Sequence, residues 1–178
     1  MSNIQDEITL YPTTSSSKKP LLVYFITGNP GLVDYYSLFL RTLQYKASLV
    51  PDLYFYGKSL DGFEVSSPSD PNLEFPLSLP QQISRVKRSI ERKVAELSSD
   101  QQGTAKGDEP MSVVLMGHSV GAYILLEVIA QWQAEQLEGK SKRSPWRPVA
   151  GINLFPTVTE IAKSEKGRQL SVCLASGL

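Results

Sequence analysis

The tightest constraint on this chain is the run "MSVVLMGHSVGAYILLEVIA", Met111 to Ala130. It starts as an apolar, β-rich stretch and becomes a helix-forming one, with Gly117-His118-Ser119-Val120-Gly121 at the changeover. A strand that turns directly into a helix around Gly-x-Ser-x-Gly holds its serine on a sharp, strained corner. Glycine is expected at positions 117 and 121, because a Cβ in so sharp a turn would strike the adjoining strand or helix. The plainer alternative is a tight turn that carries an incidental serine. Either way, the segment calls for a sheet with helices packed on it.

The rest of the chain repeats that alternation. "LLVYFITG", Leu21 to Gly28, is too short for a buried helix and reads as a strand covered on both faces. Asp34 stands where a helix N-cap is expected, and Tyr35, Leu38, Phe39 and Leu43 then fall on one helical face. "SLVPDLYFYG", Ser48 to Gly57, predicts a second strand. Residues 58–80, rich in Ser, Pro and Asp, read as a surface loop.

Pro80 opens a helix whose Ile83, Val86, Ile90, Val94 and Leu97 form an amphipathic stripe. The other face sets Arg85, Lys87, Arg88, Arg92 and Lys93 against Glu91 and Glu96. It is expected to be solvated, with contact to an anionic lipid surface as the alternative. After a loop at 99–110 and the strand Met111–Gly117, a helix runs from Val120 to about Gln136, with Gly139 as its stop signal. "KSKRSPWRP" reads as a basic loop and "VAGINLFPTV", Val149 to Val158, as the last strand. Residues 4–11 suit a short edge strand ahead of the polar loop 13–19. This order implies an α/β fold, a mostly parallel sheet flanked by helices.

The 178 residues suffice for one domain with a core. Their zero formal net charge gives no reason to expect nucleic acid, and no metal or cofactor is called for. Cys173 is the single cysteine and cannot form an intramolecular disulfide. The N-terminus lacks the basic-then-apolar pattern of a signal peptide, and no apolar run is long enough to span a bilayer.

The serine defines the candidate chemistry. A hydroxyl that attacks a carbonyl needs main-chain donors for the developing oxyanion and a base for its proton. One donor is expected from the Val120 amide, at a helix N-terminus. The other is expected from the loop "ITGNPGL" after the first strand, through the backbone of Asn29, since Pro30 has no N–H. His118 is the only histidine. As a strand neighbour of Ser119 it should point to the opposite face, as a packing residue beside the corner rather than a base. No aspartate or histidine follows Ser119. Glu127, Glu135, Glu138, Glu160 and Glu165 read as solvated charges, so the chain carries a nucleophile without the rest of a triad.

"FITGNPGLVDYYSLFL", "MGHSVGAYILLEV" and "INLFPTVTEIAKSEKGRQL" together resemble the lipid droplet-associated hydrolase family. That branch of the α/β-hydrolases is marked by Gly-Asn-Pro-Gly followed by an aromatic pair, Gly-His-Ser-x-Gly-Ala-Tyr, and Leu-Phe-Pro-Thr. The resemblance runs from about Leu21 to Leu170. It implies an α/β-hydrolase fold, here incomplete, and a serine esterase acting on neutral-lipid esters, with Ser119 as nucleophile. It also implies attachment to the cytoplasmic face of lipid droplets and a part in lipid storage. Family members are longer, with their acid and histidine in a C-terminal part beyond a cap, so a C-terminally truncated chain is expected to turn over poorly. Residues 1–20 would be an N-terminal segment, 21–160 the hydrolase core, and 161–178 the start of the cap or a truncated tail. A lipid-surface scaffold that keeps the fold without the chemistry is the alternative.

Overall fold

The computed structural model describes residues 4–14, 16, 20–66, 75–99, 109–138 and 144–157. A five-stranded sheet forms the centre, built from β1 (Glu7–Leu10), β2 (Leu21–Ile26), β3 (Leu53–Lys58), β4 (Met111–His118) and β5 (Trp146–Leu154) in the spatial order β1-β3-β2-β4-β5. β1 pairs antiparallel with β3, and all other pairings are parallel. Helices α1 (Ser37–Lys46), α2 (Leu79–Ser99) and α3 (Val120–Leu137) cover its faces.

Alternation along the strands divides the core in two. Leu22, Tyr24 and Ile26 of β2 face α2 and α3, together with Val113, Leu115, Ile124, Leu125 and Val128. Val23 and Phe25 face the α1 side, with Val33, Leu40, Phe55 and Met116. The strands in the middle of the sheet therefore carry near-continuous apolar sequence, because both of their faces are covered.

The stripe on α2 packs as its spacing predicts: Ile83, Val86, Ile90, Val94 and Leu97 are all buried. Ser78 precedes the helix, and the Gln81 side chain reaches back to it as in half of a capping box, its Oε1 accepting from the Ser78 amide and hydroxyl at 2.8 and 2.7 Å. The basic face is not simply solvated. Lys93 is only 4% exposed, with its Nζ 4.5 Å from the Tyr56 ring centre and 2.7 Å from Glu96. Arg85 pairs with Asp61, Arg92 with Glu7, and Lys87 with Glu135 on α3. Burial pushes the Tyr24 and Tyr56 phenols up, so both stay neutral beneath this helix.

The structure moves four other sequence expectations. Asp34 does not cap α1; it lies inside a 3₁₀ turn, Val33–Tyr36, that precedes the helix. That turn rotates the buried face. Val33 and Leu40 are fully buried, Tyr36 and Leu43 pack against the same core, and Tyr35 and Leu38 are 71% and 80% exposed. β3 begins at Leu53 and not near Ser48, because residues 47–52 form turns that end at Asp52, with φ of 55°. The loop after β3 starts as core: Ser59, Leu60 and Asp61 are buried. β5 begins at Trp146, inside the expected basic loop. Trp146 is buried, and its carbonyl accepts the Trp132 indole N–H at 3.1 Å. Pro148 fits there because the register shifts between Val113 and Val114, a bulge that excuses a strand residue with no N–H. Gly139, Val158 and residues 161–178 lie outside the described residues.

Candidate active site

β4 runs straight into α3 through one residue, Ser119. Strand alternation puts Gly117 on the α3 side and His118 on the α1 side, and Ser119 breaks the pattern with φ of 53° and ψ of −121°. Positive φ in a residue with a side chain costs on the order of 1–3 kcal/mol and persists only where surroundings enforce it. Here two close approaches do so. A Cβ on Gly117 would lie 2.3 Å from the Gly121 carbonyl oxygen, and one on Gly121 would lie 2.4 Å from the carbonyl oxygen of Ile26. Helix, strand and neighbouring strand meet with no room for a methyl group.

Ser119 is formally the N-cap of α3, yet its hydroxyl makes no capping bond. Its Oγ lies instead 3.1 Å from the Thr157 hydroxyl. The main chain is tied to the same region: Ser119 N–H donates to the Leu154 carbonyl at 3.0 Å, and Thr157 N–H donates to the Ser119 carbonyl at 3.2 Å. The serine is half-buried, and Val120 is the first residue of the helix behind it.

The loop after β2 reaches this corner. Ile26 and Gly117 are register partners across β2 and β4, so both strands end at one level. Gly28 begins a turn closed by Gly31 N–H donating to the Gly28 carbonyl at 2.7 Å, with Gly31 at φ of 90°. Gly28 is buried against the elbow. A Cβ there would sit 2.6 Å from His118 Nδ1 and 2.9 Å from Ser119 Cβ. Asn29 follows directly and is exposed at the rim.

His118 is engaged elsewhere than with Ser119. Its Nδ1 lies 2.9 Å from the Tyr36 hydroxyl, and the exposed Phe155 ring stands edge-on to its ring at 6.1 Å. Tyr36, Gly28 and Thr157 were not among the residues singled out from sequence as site-forming. Tyr36 and Thr157 did leave a trace, in the aromatic pair after Gly-Asn-Pro-Gly and in Leu-Phe-Pro-Thr. Gly28 could have been found from the demand that two backbones meet there. Among the described residues no group of histidine, cysteine and carboxylate side chains could hold a metal ion.

The model of the lipid-droplet associated hydrolase family matches residues 19–177. The chain belongs to that family. Among curated relatives, the lipid droplet-associated hydrolase of Rattus norvegicus is 26% identical over 89% of this chain and 44% of its own length. That of Mus musculus is 28% identical over 89% of this chain and 44% of its own. The protein of the same name from Dictyostelium discoideum is 26% identical over 82% and 40%. The chain thus spans less than half the length of these relatives. Among solved structures, esterase B from Lactobacillus rhamnosis with a tributyrin phosphonate superposes with a TM-score of 0.55 at 15% identity, covering 94% of this chain and 54% of the esterase. The Fe-lacking apo form of ESTFA gives 0.53 at 13% identity, covering 96% and 51%. At such identities the likeness is one of fold: the sheet and helices are those of the α/β-hydrolases.

Proposed function

We propose that this chain is the nucleophile-bearing part of a serine hydrolase that cleaves carboxylic esters of neutral lipids through an acyl-enzyme on Ser119. The observation that carries the reading is the positive φ of Ser119 at a strand–helix junction enforced by Gly117 and Gly121. Such strain is retained where it serves to present a group. In the proposed reaction Ser119 Oγ attacks the ester carbonyl, the alkoxide of the tetrahedral intermediate accepts from the Val120 and Asn29 amides, and the alcohol leaves as the acyl group stays on Oγ. Water then releases the acid.

In this reading the proton acceptor is a group other than His118: His118 belongs to the α1 side of β4, its Nδ1 lies 2.9 Å from the Tyr36 hydroxyl, and the side-chain partner of Ser119 Oγ is Thr157. Loss of the base leaves a serine hydrolase with only about 10³–10⁴-fold over the uncatalysed rate, so these 178 residues alone turn over poorly. The names of the relatives, lipid droplet-associated hydrolases, support a hydrolase that works at lipid droplets. A neutral-lipid ester as substrate, attachment at the droplet's cytoplasmic face and a part in lipid storage belong to the proposal. The scaffold alternative rests on two basic features, the outer face of α2 and the loop of residues 140–147. On α2, Arg85, Lys87, Arg92 and Lys93 hold carboxylate partners within the protein, which weakens that half of it. Residues 140–143 of the loop lie outside the described residues.

A fluorophosphonate probe tests the reading. Slow labelling confined to Ser119, lost in Ser119→Ala, is expected, with acceleration when a polypeptide supplying a histidine is present. Labelling spread over other serines and unchanged in Ser119→Ala would refute it.

A further inference from the structure

The proposed oxyanion donor at Asn29 rides on a loop, and a loop must be held still if its amide is to meet a developing charge. The Thr27 hydroxyl donates to the Gly31 carbonyl at 3.2 Å and Leu60 N–H donates to the same carbonyl at 2.8 Å, which fixes the far end of the turn. The near end, next to the serine, depends on something else. Gly28 N–H donates to the Tyr36 hydroxyl at 3.2 Å, and that hydroxyl is 2.9 Å from His118 Nδ1. Tyr36 is itself set by the Phe25 ring, 4.7 Å away between ring centres, and His118 by its place on the rigid end of β4.

We propose that Tyr36 and His118 are positioning residues, a two-member clamp that ties the oxyanion-donor loop at Gly28 to the strand that carries the nucleophile. The clamp rests on the reading of Ser119 and Asn29 given above. It gives the histidine of Gly-His-Ser-x-Gly a task other than proton transfer. A phenol has one proton and two lone pairs. Since Tyr36 Oη accepts from Gly28 N–H, its proton is satisfied by donation to an unprotonated Nδ1, which places the imidazole proton on Nε2. In the other tautomer Oη would accept twice and its own proton would lose this partner. The absence of a side chain at position 28 belongs to the same device. A Cβ there would displace the imidazole by contact at 2.6 Å, so the loop can approach the serine only as glycine.

The 178-residue chain holds one histidine, so its ring nitrogens are assignable by ¹⁵N NMR without further mutation. Expected in the wild type are the Nε2–H tautomer and a slowly exchanging Gly28 amide. Tyr36→Phe should mix the tautomers and speed Gly28 exchange at least tenfold while leaving the amides of α2 unchanged. It should also lower the limiting rate of Ser119 phosphonylation between about 10- and 100-fold, with little change in the half-saturating probe concentration. His118→Asn, which keeps a polar atom near the Nδ1 position, should retain most of that rate, and His118→Phe should lose it. Wild-type His118 as the Nδ1–H tautomer, or a Tyr36→Phe chain with unchanged Gly28 exchange, would overturn the clamp alone. A wild-type Ser119 that never labels, with the resonances behaving as described, would overturn only the parent reading.

Discussion

Two strand ends lie side by side at the candidate site and are held in different ways. At the end of β4 the corner is enforced by exclusion: Gly117 and Gly121 bring main chain to within a methyl group of main chain, and Ser119 between them takes a positive φ. At the end of β2 the loop from Gly28 to Gly31 is held by hydrogen bonds donated by Thr27 and Leu60 to the Gly31 carbonyl and by one from its own Gly28 N–H to the Tyr36 hydroxyl. Exclusion is all-or-none, since a clashing atom cannot be half present. A hydrogen bond contributes only about 1 kcal/mol net, so the loop can lose one anchor and persist out of place. The nucleophile is thus fixed by the fold itself, and its partner loop by replaceable polar contacts.

Substitutions can break or sharpen that contrast. Gly117→Val should have the largest effect. Its branched side chain would overlap the Gly121 carbonyl, and a loss above about 4 kcal/mol is expected, seen as the absence of a cooperative thermal transition. A melt within a few degrees of wild type would show that the corner can relax and that exclusion is not its support. Gly28→Ala should be milder, about 1–3 kcal/mol by urea titration, because it adds one methyl group whose nearest contact is the His118 ring, with the His118 carbonyl oxygen next at 2.9 Å, and the exposed rim of the loop leaves room for it to shift away. Tyr36→Phe should cost about 1 kcal/mol in the same titration, less than the about 1.4–2.7 kcal/mol that a 10- to 100-fold loss of phosphonylation rate represents. Ser119→Gly should change stability least and in the opposite direction. Relief of the positive φ offsets the entropy glycine adds to the unfolded chain, for a net gain of up to about 1 kcal/mol, while all labelling is lost.

The sheet and most of its helices are legible in the sequence wherever pattern and burial agree. The α2 stripe is regular over about four turns and packs as written, and β2 and β4 are mostly apolar runs that only a covered sheet accommodates. α1 is legible as a helix but not in its phase, because a 3₁₀ turn ahead of it shifts the face by part of a turn and exchanges Tyr35 and Leu38 for Val33 and Tyr36 on the buried side, while Leu43 packs as expected. The start of β5 hides behind Pro145 and Pro148, which argue for a loop until the bulge and the Trp132–Trp146 contact are known. At the site, the Gly-x-Ser-x-Gly corner is readable because its glycines answer to local geometry. Tyr36 and Thr157 are not, since each meets the serine region only through long-range packing, 82 positions from His118 in one case and 38 from Ser119 in the other.

Thr157 grips Ser119 twice, by its amide and by its hydroxyl, and does so from the stretch just past β5. Whatever pulls on that stretch therefore pulls on the serine. The exit of β5 and the serine hydroxyl are thereby one mechanical unit.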